Sequence, residues 1–120
     1  MTKILIVDDS PTEANIVRSL LEEVGYEVLW ADNADKGIQM ATEQQPNVIL
    51  MDVVMPGMSG FQATRKLTRN PQTQNIPILM LTTKDQKTDE IWGIRNGAKK
   101  YMVKPPEKEK LLQEIKELLG

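Results

Sequence analysis

The sequence predicts an α/β domain: a doubly wound, five-stranded parallel sheet with five helices packed on its two faces. Three observations carry this prediction. Runs of four or five residues, nearly all apolar, recur along the chain, as expected of strands buried on both faces. Longer stretches with apolar residues at helical spacing lie between them. Run and stretch alternate throughout, the pattern of right-handed strand–helix–strand crossovers.

The elements follow in order. Ile4–Val7 is the first strand. Ser10 caps the first helix, Pro11 suits its first position and Glu13 completes a capping box. Ala14, Val17, Leu20, Leu21 and Val24 then share one face, and Gly25 stops the helix. Glu27–Ala31 is the second strand, and a helix from Ala34 to about Gln44 turns Ala34, Ile38 and Ala41 to one side. Val48–Met51 is a fully apolar third strand. Met55–Gly60 is a loop rich in Pro, Gly and Ser, and Phe61–Thr68 a short third helix. Ile78–Leu81 is the fourth strand, Gln86–Asn96 the fourth helix, ended by Gly97, and Lys100–Val103 the fifth strand. Glu107–Leu119 closes the set, with Leu111, Leu112, Ile115, Leu118 and Leu119 on one face.

Composition narrows the chemistry. Residues 1–120 match the size of a single domain, and no part of them is left over for an output domain. There is no Cys, which excludes disulfides, thiolate metal sites and a cysteine nucleophile; there is no His, which excludes Ser-His-Asp catalysis and imidazole metal sites. A net charge of −2 with both signs interspersed argues against nucleic acid or anionic lipid as the main partner. The apolar start is too short for a signal peptide or a membrane span, so a cytoplasmic protein without membrane insertion is expected.

The residues just after the apolar runs carry the chemistry: Asp8 and Asp9, Asp52, Thr82 and Thr83, and Lys104 before Pro105. In an open parallel sheet all these carboxyl ends share one edge, where ligands bind. Placing the first strand beside the third brings Asp8, Asp9 and Asp52 together across 44 positions of sequence. Three such carboxylates repel unless a cation compensates them. Mg²⁺, a hard cation with a preference for oxygen, and the ammonium of Lys104 are suited to this. Carboxylates, Mg²⁺, a lysine and a threonine hydroxyl together suit phosphoryl transfer, with Asp52, alone at its strand end, as acceptor and Asp8 and Asp9 as metal ligands. Each piece alone has an ordinary structural explanation; their joint placement does not.

These residues identify a family. Ile4-Leu5-Ile6-Val7-Asp8-Asp9-Ser10, Met51-Asp52-Val53-Val54-Met55-Pro56-Gly57 with Gly60, Leu81-Thr82-Thr83 and Val103-Lys104-Pro105 resemble the signature of the receiver domain of two-component response regulators over essentially the whole chain. The resemblance implies the flavodoxin-like strand order 2-1-3-4-5. It implies Asp52 as phosphoacceptor, Asp9 as a direct Mg²⁺ ligand, Asp8 as a ligand acting largely through water, and the backbone carbonyl of Val54 as a further ligand. Lys104 would contact the phosphoryl oxygens, Thr82 would be the switch hydroxyl and Tyr101 the switch aromatic. The Lys104–Pro105 bond would be cis. Val54 lacks a polar side chain, Thr83 and Lys84 stand where the family often has smaller or different residues, and Pro106 after Pro105 is less usual.

Phe61–Arg65, Thr82–Gln86 and Trp92-Gly93 with Arg95, Gly97 and Ala98 further resemble the stand-alone regulators of type IV pilus twitching motility. The implied protein is a phosphorylation switch, not a multiple-turnover enzyme. It takes its phosphoryl group from a partner histidine kinase or histidine phosphotransfer domain and signals by protein contact through the fourth helix, fifth strand and fifth helix. A phosphate sink for a sister regulator and a flagellar chemotaxis regulator are the alternatives. A monomer that can dimerise on activation is expected. Trp92 is read either as flattened on its own domain or as part of an interface, with Ile91 and Ile94 filling the inward face of the fourth helix. Met51, Met55, Met58 and Met80 are expected to fill the core, and Trp30 to pack. A flavin binder is disfavoured by a content of only five aromatic residues.

Overall fold

The computed structural model describes residues 1–120. Its elements are β1 (Lys3–Val7), α1 (Pro11–Glu23), β2 (Glu27–Ala31), α2 (Ala34–Gln44), β3 (Val48–Met51), α3 (Gly60–Arg69), β4 (Ile78–Thr82), α4 (Lys87–Arg95), β5 (Lys100–Val103) and α5 (Lys108–Leu119). The strands form one parallel sheet in the order β2-β1-β3-β4-β5. The expected fold class and strand order are both present.

The apolar runs explain this arrangement. Residues 4–7 of β1 and all of β3 and β4 are buried, so each side chain needs a covering layer whichever way it points. Leu5, Val7, Ile49, Met51, Ile78 and Met80 face one layer, with Ala34 and Ala41 of α2 and Ala63 and Leu67 of α3. Ile4, Ile6, Leu50, Leu79 and Leu81 face the other, with Val17 and Leu21 of α1 and Leu111 and Ile115 of α5. Met51, Met55 and Met80 are buried and Met58 packs against the same cluster, so the methionines fill the core as expected.

The helix starts follow their caps. Ser10 accepts from the Glu13 N–H (3.2 Å) and Pro11 takes the first helical position. Asn33 accepts from the Lys36 N–H (2.9 Å), and Ser59 and Gln62 form a reciprocal capping box. The box expected at Ser10 and Glu13 is only half made. The Ser10 N–H donates to Asp8 Oδ1 (2.9 Å), which leaves the Glu13 carboxylate free to point elsewhere. The Lys104–Pro105 bond is cis.

The fourth helix departs from expectation. It spans Lys87–Arg95, and the residue it turns onto the sheet is Gly93, not Ile91 and Ile94. Ile91, Trp92 and Ile94 are 47%, 46% and 45% exposed. The reason is the closeness of the seat. A Cβ on Gly93 would lie 2.8 Å from Met80 Sδ and 3.1 Å from the Tyr101 ring, so a larger residue enters only if both side chains give way. Gly93→Val is therefore expected to overpack this contact, lift α4 and destabilise the fold by about 1–3 kcal/mol. A lower urea midpoint with a changed near-ultraviolet signal from Tyr101 is the expected result; an unchanged midpoint would show that α4 is not seated there.

Candidate functional site

Strand adjacency brings the strand-end residues together. Val7 pairs with Met51 in register, and the Asp52 N–H donates to the Val7 carbonyl (2.9 Å). Asp8 and Asp52 therefore leave neighbouring strands at the same level. Oxygens of Asp8, Asp9 and Asp52 all lie within 4.8 Å of one another. Asp8 and Asp52 are only 3% and 7% exposed, while Asp9 is open to solvent.

Each buried carboxylate has defined partners. Asp8 Oδ1 accepts from the Ser10 N–H, and Asp8 Oδ2 accepts from Lys104 Nζ (2.6 Å). Asp52 Oδ1 accepts from the Val53 N–H (2.8 Å), and Asp52 Oδ2 lies 3.6 Å from Lys104 Nζ. Lys104 arrives from the end of β5, its N–H donating to the Thr82 carbonyl (2.8 Å), and its side chain is only 6% exposed. Its third carboxylate is Glu13, with Oε2 3.3 Å from Nζ. Thr82 is the last residue of β4 and fully buried; its hydroxyl accepts from the Lys84 N–H (3.2 Å). The Tyr101 hydroxyl donates to the carbonyl of the same Lys84 (2.7 Å).

Backbone packing fixes the loop after β3. The Gly60 N–H donates to the Val53 carbonyl (2.9 Å), and a Cβ on Gly60 would fall 1.8 Å from the Asp52 carbonyl oxygen. The turn after β3 thus closes against α3 only with glycine there. Val54 is exposed on this turn.

The electrostatics follow from burial and neighbours. Burial raises the pKa of Asp52, helped by the charge of Asp8 and opposed by Lys104, Thr82 and the Val53 N–H. Burial pulls the Lys104 pKa down, but its hydrogen bond to Asp8 and the charges of Asp52, Asp8 and Glu13 outweigh this and raise it. Tyr101 is pushed up to about 12 by burial, with Asp89 and Glu90 adding to the effect. Three clustered carboxylates with one lysine keep an excess of negative charge. Such an all-oxygen donor set fits a hard divalent cation such as Mg²⁺.

The expected site residues Asp8, Asp9, Asp52, Thr82 and Lys104 are thus brought together. Tyr101 lies behind them, joined to Thr82 through Lys84. Trp92 stands apart, beside a cleft between α3 and α4. Two residues were not legible as part of the site. Glu13 reads as a helix cap and instead reaches Lys104. Trp30 reads as packing, yet its indole N–H donates to the Asp8 carbonyl (2.8 Å) and so positions the acidic pair. The spacing of Glu13, one turn into α1 after the acidic pair, is the signal that points to it.

Comparison with known proteins decides the family. Residues 4–116 match the family model of the response regulator receiver domain. The chain belongs to this family. Among its relatives is Protein PilH of Pseudomonas aeruginosa, 50% identical over 100% of this chain and 99% of that protein. The transcriptional regulator RpaA of Synechocystis is 39% identical over 99% of this chain and 49% of that longer protein. Among solved structures, chemotaxis protein CheY4 of Vibrio cholerae superposes with a TM-score of 0.92 at 35% identity, covering 99% of both chains. The receiver domain of a Pseudomonas aeruginosa sensor histidine kinase, described with a magnesium ion coordinated in its active-site cleft, gives 0.92 at 26% identity, covering 99% of this chain and 98% of that one.

Two predictions follow from this receiver site. Asp52 has a folded-state pKa above its ordinary 3.8, so the native domain holds this proton more tightly than the unfolded chain. Its contribution to stability is greatest at acid pH and is lost as pH rises through the raised value. Without divalent metal, Asp52→Asn is therefore expected to raise the urea midpoint at about pH 7, with the gain shrinking toward about pH 4. A variant no more stable than wild type at neutral pH would contradict this. Glu13 offers Lys104 a partner outside the three clustered aspartates. Glu13→Gln leaves Lys104 more dependent on Asp8 and is expected to weaken Mg²⁺ binding about threefold, the worth of a half-exposed ion pair. Trp30 fluorescence during Mg²⁺ titration, in a Trp92→Phe background, measures it; unchanged affinity would leave Glu13 without this role.

Proposed function

We propose that this receiver domain is a phosphorylation switch in which Asp52 accepts a phosphoryl group from phosphohistidine on a partner kinase or phosphotransfer domain. The observation that carries this is the convergence of Asp52, Lys104 and Thr82, with the acidic pair Asp8 and Asp9, at one edge of the sheet. In the transfer, an Asp52 carboxylate oxygen bonds to phosphorus. The phosphorus–nitrogen bond breaks, and the electron pair leaves on the imidazole, which takes up a proton.

The residues have separable tasks. Val53 N–H fixes one oxygen of Asp52, so the other is oriented toward the donor. Asp8, Asp9, Asp52 and the Val54 carbonyl would hold Mg²⁺, which when bound supplies positive charge to the phosphoryl oxygens. Lys104, already within 3.6 Å of Asp52, pairs with the added negative charge. Thr82 donates its hydroxyl to a phosphoryl oxygen. The phosphoaspartate hydrolyses slowly, so the domain serves as a switch and not as a multiple-turnover enzyme.

The output is a protein contact through α4, β5 and α5. The 50% identity to Protein PilH over the full chain supports a role in a cytoplasmic chemotaxis-like pathway controlling type IV pilus twitching motility. No helix is long and apolar enough to cross a membrane. Incubation with Mg²⁺ and radiolabelled acetyl phosphate is expected to label wild type. Asp52→Asn should lose the label, and Lys104→Ala should incorporate it at least about tenfold more slowly. Unchanged labelling of Asp52→Asn would overturn the acceptor assignment.

A further inference from the structure

The charges of this chain are unevenly distributed. It is acidic as a whole, yet no Asp or Glu occurs between Asp52 and Asp85. That stretch contains α3, whose solvent side carries Arg65, Lys66 and Arg69. The fold sets Arg95, the last residue of α4, next to them. Arg65, Arg69, Arg95 and Trp92 line a cleft of about 340 Å³ between the two helices. A second, more open concavity shares Arg65 and Arg69, adds Lys66, and runs along α3 to Gly57 and Met58. No carboxylate lines either one.

None of these four cations is in an ion pair, whereas Lys36, Lys100, Lys104 and Lys108 each are. Clustered unpaired charges of one sign repel, and an opposite charge brought to them is held. Arginine presents a planar fork that binds carboxylates through two parallel hydrogen bonds. Trp92 adds a half-exposed aromatic surface at the rim, of a residue type enriched among interface hot spots.

We propose that the α3–α4 cleft docks an acidic polypeptide segment of a partner protein. Its carboxylates pair with Arg65, Arg69 and Arg95, and one of its apolar side chains packs on Trp92. Nucleic acid is the poorer match. The domain carries net negative charge, and Asp89 and Glu90 of α4 would face the phosphates of any long strand laid past the cleft. The site does not rest on phosphoryl acceptance, and it lies apart from the carboxyl edge of the sheet.

A fluorescently labelled peptide of Glu and Leu residues, titrated with the full chain and followed by anisotropy, tests this. Wild type is expected to bind it. The double variant Arg65→Glu with Arg69→Glu should lose at least about tenfold in affinity, and Trp92→Ala about fivefold. Lys110→Glu with Lys116→Glu makes the same charge change on exposed positions of α5 and should stay within about twofold of wild type. Arg65→Gln with Arg69→Gln keeps the test available should charge reversal unfold the domain. Absence of binding, an equal loss in the α5 variant, or tighter binding of a single-stranded oligonucleotide of matched charge would overturn the proposal.

Discussion

Asp8 and Asp52 leave adjacent strands side by side because the Asp52 N–H is bonded to the Val7 carbonyl. Both carboxylates are buried, and charge of one sign confined away from water is costly unless a cation or hydrogen-bond donors compensate it. The cation is Lys104, 96 positions from Asp8 in sequence and within 2.6 Å of it in space. Much of the architecture follows from keeping that lysine where it is. β5 must pair beside β4, α1 must be capped at Ser10 so that the Ser10 N–H reaches Asp8, and the chain after Asp52 must turn tightly enough for its carbonyl to rest against Gly60.

The compensation is incomplete, and that incompleteness is what makes the edge chemically useful. Charge-assisted hydrogen bonds from Val53, Ser10 and Lys104 each contribute on the order of 1.5–3 kcal/mol. They hold the carboxylates in place but do not cancel the excess negative charge of Asp8, Asp9, Asp52 and Glu13 over one ammonium. The pKa of Asp52 is raised chiefly by its burial, and the charge of Asp8 adds to this against the pull of Lys104. A domain so arranged gains from whatever brings positive charge to the edge, and the Asp52 carboxylate is held at the end of a fully buried strand.

The central strands were legible because burial on both faces leaves a continuous apolar run in the sequence; the edge strands β2 and β5, only partly buried, fall at the limits expected because they alternate with the helices at regular spacing. The site was legible for the same reason, since a polar residue that ends such a run must sit at the sheet edge. Glu13 and the fourth helix were not legible. A capping glutamate and a lysine-bound glutamate have the same local sequence, and only the prior claim of Asp8 on the Ser10 N–H decides between them. In α4, hydrophobic spacing points to Ile91 and Ile94, but the helix lies so close to Met80 and Tyr101 that Gly93 is the residue seated there. Packing clearance is a property of three separate segments, and no single stretch of sequence encodes it.

That shallow seat bears on how a change at Asp52 could travel. Thr82 is buried beside Asp52, and its hydroxyl holds the Lys84 N–H, while Tyr101 holds the Lys84 carbonyl. Lys84 is thus gripped from both sides at the start of the loop that leads into α4. In the proposed switch, a Thr82 hydroxyl turned toward a phosphoryl group must reorganise its bond to Lys84, and the strain passes to the Tyr101 hydroxyl and ring. The ring is also one wall of the Gly93 seat, so the loop and the helix respond together. A helix anchored by several large side chains would resist such a shift. One anchored through a single glycine, with Ile91, Trp92 and Ile94 left outside, has little buried area to lose and can move at small cost. In the proposed switch, the same economy that leaves α4 loosely attached lets a local change in charge at Asp52 reach the surface of the domain.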